Sequence, residues 1–296
     1  MSANWQRLIR FVAVETSRIH IGQPVDPKID VGLAVLSSKP LKAYEISGSA
    51  LDPDAKVTST VLTVKHLLDP LSKDQVKLVR CLGLNYRDHA AEAKLPLPET
   101  PVLFYKPASS LIGPNVPIVI PRVAQPVAEH VPDYEAELTI VIGKPAKDVS
   151  EANALDYVLG YVSGNDMSFR KHQMATSQWG FGKGFDNSTP FGPCIVSSRV
   201  ISDPQNLAIT TEVNGQLLQN GTTAEQVFSV RKTVAFLSQG TTLEPGSLIM
   251  TGTPKGVGFA RKPQVYLKHG DEVRVFIGGG LGTLVNPVIE ESKPKL

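Results

Sequence analysis

The sequence predicts an α+β fold dominated by β-structure, preceded by a small N-terminal α/β piece. Two observations carry this. Short apolar, β-branched runs recur along the whole chain, and 24 glycines and 23 prolines separate them, as many turns require. Stretches with helical spacing are few. The 296 residues are 42% hydrophobic and 20% charged, an ordinary globular composition with enough apolar side chains for a sizeable core.

Taken in order, residues 8–14 and 31–36 read as strands, with Gly22, Pro24, Asp26 and Pro27 marking turns between them. Residues 63–71 and 74–79 read as short helical or loop pieces. Residues 79–84, VRCLGL, then read as a buried strand running into a glycine. This change of character places a boundary near residues 72–76, giving a small N-terminal domain (1–74) and a larger domain (75–296). Further strands are expected at 102–105, 118–120, 135–142, 157–162, 194–197, 208–213, 248–251, 272–277 and 282–288. Helices are expected at 87–93, 167–176 and 223–237. No repeat of fixed period and no low-complexity tract interrupts this pattern.

Thirty basic residues against 28 acidic ones, scattered rather than clustered, favour neither a nucleic-acid nor a membrane-surface partner. Cys81 and Cys194 lie far apart and outside any Cys-x-x-Cys pair, so two buried thiols are expected. No apolar run is long enough to span a bilayer. The first residues lack a signal-peptide core and read as a strand rather than a presequence, which makes the cytoplasm the expected location.

The chemistry is concentrated in Asp133-Tyr-Glu-Ala-Glu-Leu-Thr-Ile-Val-Ile-Gly143. In a strand, Ala136, Leu138, Ile140 and Ile142 share one apolar face, while Glu135 and Glu137 project together from the other. Carboxylates that close repel unless a cation or proton lies between them. A Glu-x-Glu alone reads better as a solvated strand face. The third acid, Asp166, follows an expected strand and heads an expected helix, where it could simply be an N-cap. At helical spacing Asp166, Arg170 and Gln173 share a face, which looks more like a polar site. Three hard oxygen ligands suit Mg²⁺ or Mn²⁺, and Ca²⁺ also fits.

Several further motifs accompany these residues: Gly83-Leu-Asn-Tyr-Arg-Asp-His89-Ala-Ala-Glu92, Phe104-Tyr-Lys-Pro107, Gly164-Asn-Asp166, Gly182-Lys183-Gly-Phe-Asp186 with Pro190-Phe-Gly-Pro193, Thr251-Gly-Thr-Pro254 with Gly256-Val-Gly258, and Gly280-Leu-Gly-Thr-Leu-Val-Asn286. Together and in this order they resemble the fumarylacetoacetate hydrolase superfamily across nearly all of residues 79–289. The resemblance implies a β-roll, barrel-like catalytic domain behind a small N-terminal domain, paired as a homodimer. It implies that Glu135, Glu137 and Asp166 ligate Mg²⁺ or Mn²⁺, that Lys183 lies beside the metal, and that Arg170 and Gln173 contact substrate oxygens. It also implies a catalytic His89–Glu92 dyad on a mobile lid, and a substrate carboxylate held by Thr251, Gly252 and Thr253. Lys171 and His172 depart from the family pattern, which often has an acidic and then an aromatic residue there, so local charge and substrate fit are open.

Beside that resemblance stand plainer readings. By spacing alone His89 and Glu92 form an ordinary exposed pair, and Lys183 is a surface-loop lysine between glycines. Lys106 reads equally well as a pocket-wall residue or not. The glycine run 278–282 leads into a strand rather than opening a helix, so it is no dinucleotide fingerprint. The expected function is metal-dependent chemistry on a small 2-oxo or 1,3-dicarbonyl carboxylate through an enolate. C–C cleavage by acylpyruvate-type hydrolysis or oxaloacetate-type decarboxylation comes first, and keto–enol tautomerisation of a 2-oxo acid such as oxaloacetate is the alternative. A catalytically silent metal- and metabolite-binding protein is less favoured, because none of the site residues is lost.

Overall fold

The run Ala136–Ile142 forms a strand at the centre of the molecule, and all seven of its residues are buried. A computed structural model of the chain describes residues 4–37 and 39–292. In it, Ala136, Leu138, Ile140 and Ile142 pack into one core with Ile209, Val275 and Leu284, while Val141 joins a second core with Val162, Ile195 and Met250. The strand is therefore sandwiched, with the apolar alternation read from the sequence filling one face and a mixed polar and apolar set filling the other. Each such aliphatic side chain contributes about 1.5–3 kcal/mol on full burial.

Ala136–Ile142 pairs antiparallel with Val158–Asn165 on one side and with Leu248–Met250 on the other. Thr189–Ser197 continues the sheet beyond Val158–Asn165, and Val79–Gly83 and Val102–Lys106 continue it beyond Leu248–Met250. A second sheet, carrying Ala208–Val213, Gln216–Thr222, Glu272–Ile277, Gly282–Glu290 and Ile118–Ile120, supplies the facing side of the first core. The β-dominated class read from the sequence is the observed one.

At the N-terminus Arg7–Ala13, Ile19–Pro24, Lys42–Ser47 and Lys56–Leu68 pair in a closed ring of four strands. Arg7 and Leu8 also pair with Val196 and Ile195, so this ring is hydrogen-bonded to the main sheet.

Four local expectations are corrected. Residues 31–36 are not a strand: Val31–Ala34 is a short helix whose first turn is capped by Asp30, which accepts from the Leu33 amide. Residues 63–71 are neither helix nor loop at their start, because Lys56–Leu68 is a largely exposed strand. The helix expected over 167–176 shrinks to Arg170–Gln173, because Ser168 and Phe169 pair with Asp133 and Pro132. The helix expected from residue 223 begins at Val230, where Ser229 caps it through the Lys232 amide. Cys81 and Cys194 are free and buried, as expected.

Candidate active site

Strand pairing assembles the acidic trio. Glu137 lies opposite Gly164 in the register of Ala136–Ile142 with Val158–Asn165, and the ladder extends one step further as the Asp166 amide donates to Glu135 O at 2.9 Å. The Glu135 amide in turn donates to Asn165 Oδ1 at 3.0 Å. Glu135, Glu137 and Asp166 thereby bring ligand oxygens within 4.8 Å of one another, all on buried residues.

Three cations surround them. Lys183 Nζ lies 2.7 Å from Glu135 Oε2 and 2.6 Å from Asp166 Oδ2. Lys106 Nζ donates to Asp166 Oδ1 at 2.6 Å and to the carbonyls of Met167 and Ser188. Arg170 Nη2 contacts Glu135 Oε1 and Asp133 Oδ2, each at 2.7 Å. Asp133 is itself fixed by the amides of Gly258 and Phe259, at 2.7 and 3.0 Å.

Glu137 has no such cation; it accepts from the Gly252 amide at 2.6 Å. Burial, then the neighbouring Asp166 and Glu135 carboxylates, push the Glu137 carboxyl well above its usual range. Burial opposes ionisation of Glu135 too, but there Lys183 and Arg170 win and hold it below the usual range. Asp133, Glu135, Glu137 and Asp166 thus face only Lys106, Arg170 and Lys183 in this cluster. A set of buried hard oxygen donors, one of which has no cation partner, fits a divalent cation.

Glu135 and Glu137 open onto a cavity of about 470 Å³ whose lining also includes Lys183, Arg170, Gln173, Thr253, His89 and Glu92. His89 and Glu92 lie on the helix Arg87–Ala93, with His89 Nδ1 3.3 Å from Glu92 Oε2. The Gly256 amide donates to both Glu92 oxygens at 3.0 Å. Partial burial works against the Glu92 charge, yet His89 and this amide hold its carboxyl below the usual range.

Arg170 Nη1 donates to Gln173 Oε1 at 2.9 Å, so the Gln173 amide nitrogen is the end that can donate into the cavity. Thr253 Oγ1 accepts from Gln219 Nε2 at 2.8 Å, leaving its O–H to donate. Thr251 and Gly252 stand behind the cavity wall. The Thr251 hydroxyl donates to Leu138 O and accepts from Gln226, and the Gly252 amide is taken by Glu137. The sequence argument put Arg170 and Gln173 beside Asp166 by helical spacing; they reach the site instead because strand pairing turns the chain before the short helix starts.

Three contributors escaped sequence reasoning. Asp133, Asn85 and Trp179 have no local signal, since their partners are distant in sequence. Asn85 is fully buried and clamps Phe228 and Thr251 through three hydrogen bonds to the main chain. Trp179 lines the cavity and packs edge-on against Phe104.

A buried carboxylate trio beside a cavity, carried by a β-dominated two-sheet fold, defines an enzyme that works with a divalent metal ion. Residues 78–289 match the family described as fumarylacetoacetate (FAA) hydrolase C-terminal, and the chain belongs to that family. It is 57% identical over 293 residues to caffeoylpyruvate hydrolase of Neonothopanus nambi, covering 98% of this chain and 96% of that one. It is 42% identical over 266 residues to oxaloacetate tautomerase fahd2, mitochondrial, of Xenopus laevis, covering 89% and 80%. Among solved structures, fumarylpyruvate hydrolase from Pseudomonas aeruginosa in complex with Mn²⁺ and pyruvate superposes with a TM-score of 0.65 at 32% identity, over 77% of this chain and 93% of that one. No helix among the described residues is long and apolar enough to cross a membrane.

Proposed function

We propose that the protein is a metal-dependent hydrolase that cleaves a C–C bond in a small 1,3-dicarbonyl 2-oxo carboxylate of the acylpyruvate type. The observation that carries this is one cavity lined at once by two of the trio's carboxylates, Lys183 and the His89–Glu92 pair. The near full-length relative that hydrolyses an acylpyruvate points the same way.

Glu135, Glu137 and Asp166 hold the cation, which when bound supplies Lewis-acid polarisation of the 2-oxo carboxylate and lowers the energy of an enolate. Lys183 adds a fixed positive charge where negative charge develops. Gln173 and Thr253 orient substrate oxygens. Glu92 accepts from His89 Nδ1–H, which leaves Nε2 as the base. Nε2 takes a proton from water, and the hydroxide adds to the distal carbonyl carbon. The bond from that carbon to the methylene breaks, its electron pair passing into the 2-oxo acid as an enolate. The proton on His89 passes to the methylene carbon, giving pyruvate and a carboxylic acid, which loses its proton to solvent. The same groups, used for proton transfer alone, would interconvert keto and enol forms of oxaloacetate, and the amphibian relative favours that second reading. Loss of CO₂ from oxaloacetate through the same enolate is a third use of the site.

The test is turnover of acetylpyruvate and oxaloacetate with Mg²⁺, with Mn²⁺ and with EDTA. Metal-dependent release of pyruvate from acetylpyruvate supports hydrolysis. Exchange between keto and enol oxaloacetate without any acylpyruvate cleavage would favour the tautomerase. Mg²⁺ or Mn²⁺ as the working ion, homodimerisation, a cytoplasmic location, and a division into units 1–74 and 75–296 belong to the same proposal. Sedimentation of the purified chain checks the second of these.

A further inference from the structure

Beside its charged groups the cavity carries an apolar lining. Leu84, Leu95, Phe104, Met174, Trp179 and Phe259 all contribute to it. The basic residues among the lining are Arg170, Lys183 and His89, and each already faces a carboxylate: Arg170 meets Asp133 and Glu135, Lys183 meets Glu135 and Asp166, and His89 meets Glu92. A substrate whose distal end bore a carboxylate would set that charge beside apolar side chains with none of these cations free to pair it. An uncharged distal group meets no such penalty. The volume, about 470 Å³, lies within the roughly 300–1,000 Å³ range of sites that enclose ligands far larger than a three-carbon acid.

The flat part of the wall is built deliberately at one point. A Cβ placed on Gly83 would lie 2.3 Å from the Trp179 ring, so the indole can rest on this strand only because residue 83 is glycine. On its other side the indole meets Phe104 edge-on, with ring centroids 5.4 Å apart. Across the lining, Phe259 lies over the Arg170 guanidinium at 5.9 Å. Trp179 is therefore seated by two contacts and offers a fixed aromatic surface, the kind of wall against which a planar ring stacks at little conformational cost.

We propose that Trp179, seated on Gly83, is a specificity-determining residue that selects substrates with an uncharged, planar aromatic distal group and, because every lining cation already faces a carboxylate, disfavours those with a distal carboxylate. The inference rests on the proposed reading only for which end of the cavity takes the 2-oxo carboxylate.

The test compares kcat/KM for benzoylpyruvate, acetylpyruvate and fumarylpyruvate with Mn²⁺-loaded protein. It also measures binding of phenylpyruvate and 2-oxoglutarate, which have no 1,3-dicarbonyl to cleave, by titration calorimetry. Benzoylpyruvate is expected to exceed fumarylpyruvate at least tenfold, and phenylpyruvate to bind at least tenfold tighter than 2-oxoglutarate. Trp179→Ala should lower the benzoylpyruvate to acetylpyruvate ratio at least tenfold. Gly83→Ala, which unseats the indole without removing it, should lower the ratio in the same direction and so guards against a misfolded first variant. Equal or better use of fumarylpyruvate, or a ratio unmoved in both variants, overturns the inference. If no acylpyruvate is cleaved but phenylpyruvate still binds tighter and loses that advantage in Trp179→Ala, the hydrolase reading fails and this inference stands.

Discussion

Lys106 Nζ sits 2.6 Å from Asp166 Oδ1, and neither side chain exposes any surface. Asp166 gives its other oxygen to Lys183, so the two lysines together fix the orientation of this carboxylate. Removing one partner of a buried ion pair strands the other, at about 3–5 kcal/mol. Lys106→Met is therefore expected to lower the melting temperature by more than 5 °C, on the scale of roughly 2–4 °C per kcal/mol for a chain somewhat smaller than this one. Mn²⁺ affinity, read by calorimetry, should fall about 10–100-fold. A variant that melts and binds like the parent would show that Asp166 needs no such support.

Glu137 gives a prediction of opposite sign for stability. Its carboxyl is raised in the folded state, by burial first and then by Asp166 and Glu135. The folded protein thus holds a proton that the unfolded chain releases above about pH 4.5. Stability from this group is present below that unfolded value and is lost as pH rises through the folded one. Glu137→Gln keeps an oxygen for the Gly252 amide but removes the charge. Metal-free Glu137→Gln should melt no lower than the parent at pH 8, while its Mn²⁺ affinity falls at least 100-fold. Because ligands must be deprotonated, Mn²⁺ binding to the parent should release protons, and fewer should be released by Glu137→Gln. Calorimetry in buffers of different ionisation enthalpy reads this release; identical proton release in the variant would contradict the assignment.

The His89–Glu92 pair predicts a separation of binding from turnover. General-base catalysis is worth about 10²–10⁴-fold. His89→Ala should lose that much kcat for acylpyruvate cleavage with Mn²⁺ affinity changed less than threefold. Glu92→Gln should lose less. Full cleavage activity in His89→Ala would remove the dyad from the mechanism.

Gly252 has φ +87°, and a Cβ there would lie 2.9 Å from the Asn85 Cβ. Gly252→Ala must either strain this turn, at about 1–3 kcal/mol, or rotate the peptide whose amide binds Glu137. The expected result is a lower melting temperature together with at least tenfold weaker Mn²⁺ binding. A drop in stability with metal affinity intact would mean the amide stays in place.

Alternation along the strand, with Leu138, Ile140 and Ile142 on the core face, made the shared face of Glu135 and Glu137 legible, whereas Asp166 joined them only through motif order. Lys183 and the dyad were legible only through motif order, since spacing alone left them as surface groups. Asp133 was not legible: its partners Gly258 and Phe259 come from 125 and 126 residues away. Short apolar runs misled in the other direction. Residues 31–36 have strand composition, but Asp30 capping the first turn decides for helix. Lys56–Leu68 alternates Thr, Val, Lys and His on a half-exposed strand, which leaves no strong apolar period to read.

The pairing of Glu137 with Gly164 has one more consequence, for folding. Sliding one strand past the other by a single residue would turn Glu137 into the core and break up the trio, since side chains alternate between faces. Only the native register assembles a binding site. A metal ion that binds there rewards correct strand alignment and nothing else, adding about 2.7 kcal/mol when its free concentration is 100 times its Kd. The catalytic ion would thus also act as a proofreader of the sheet that holds it.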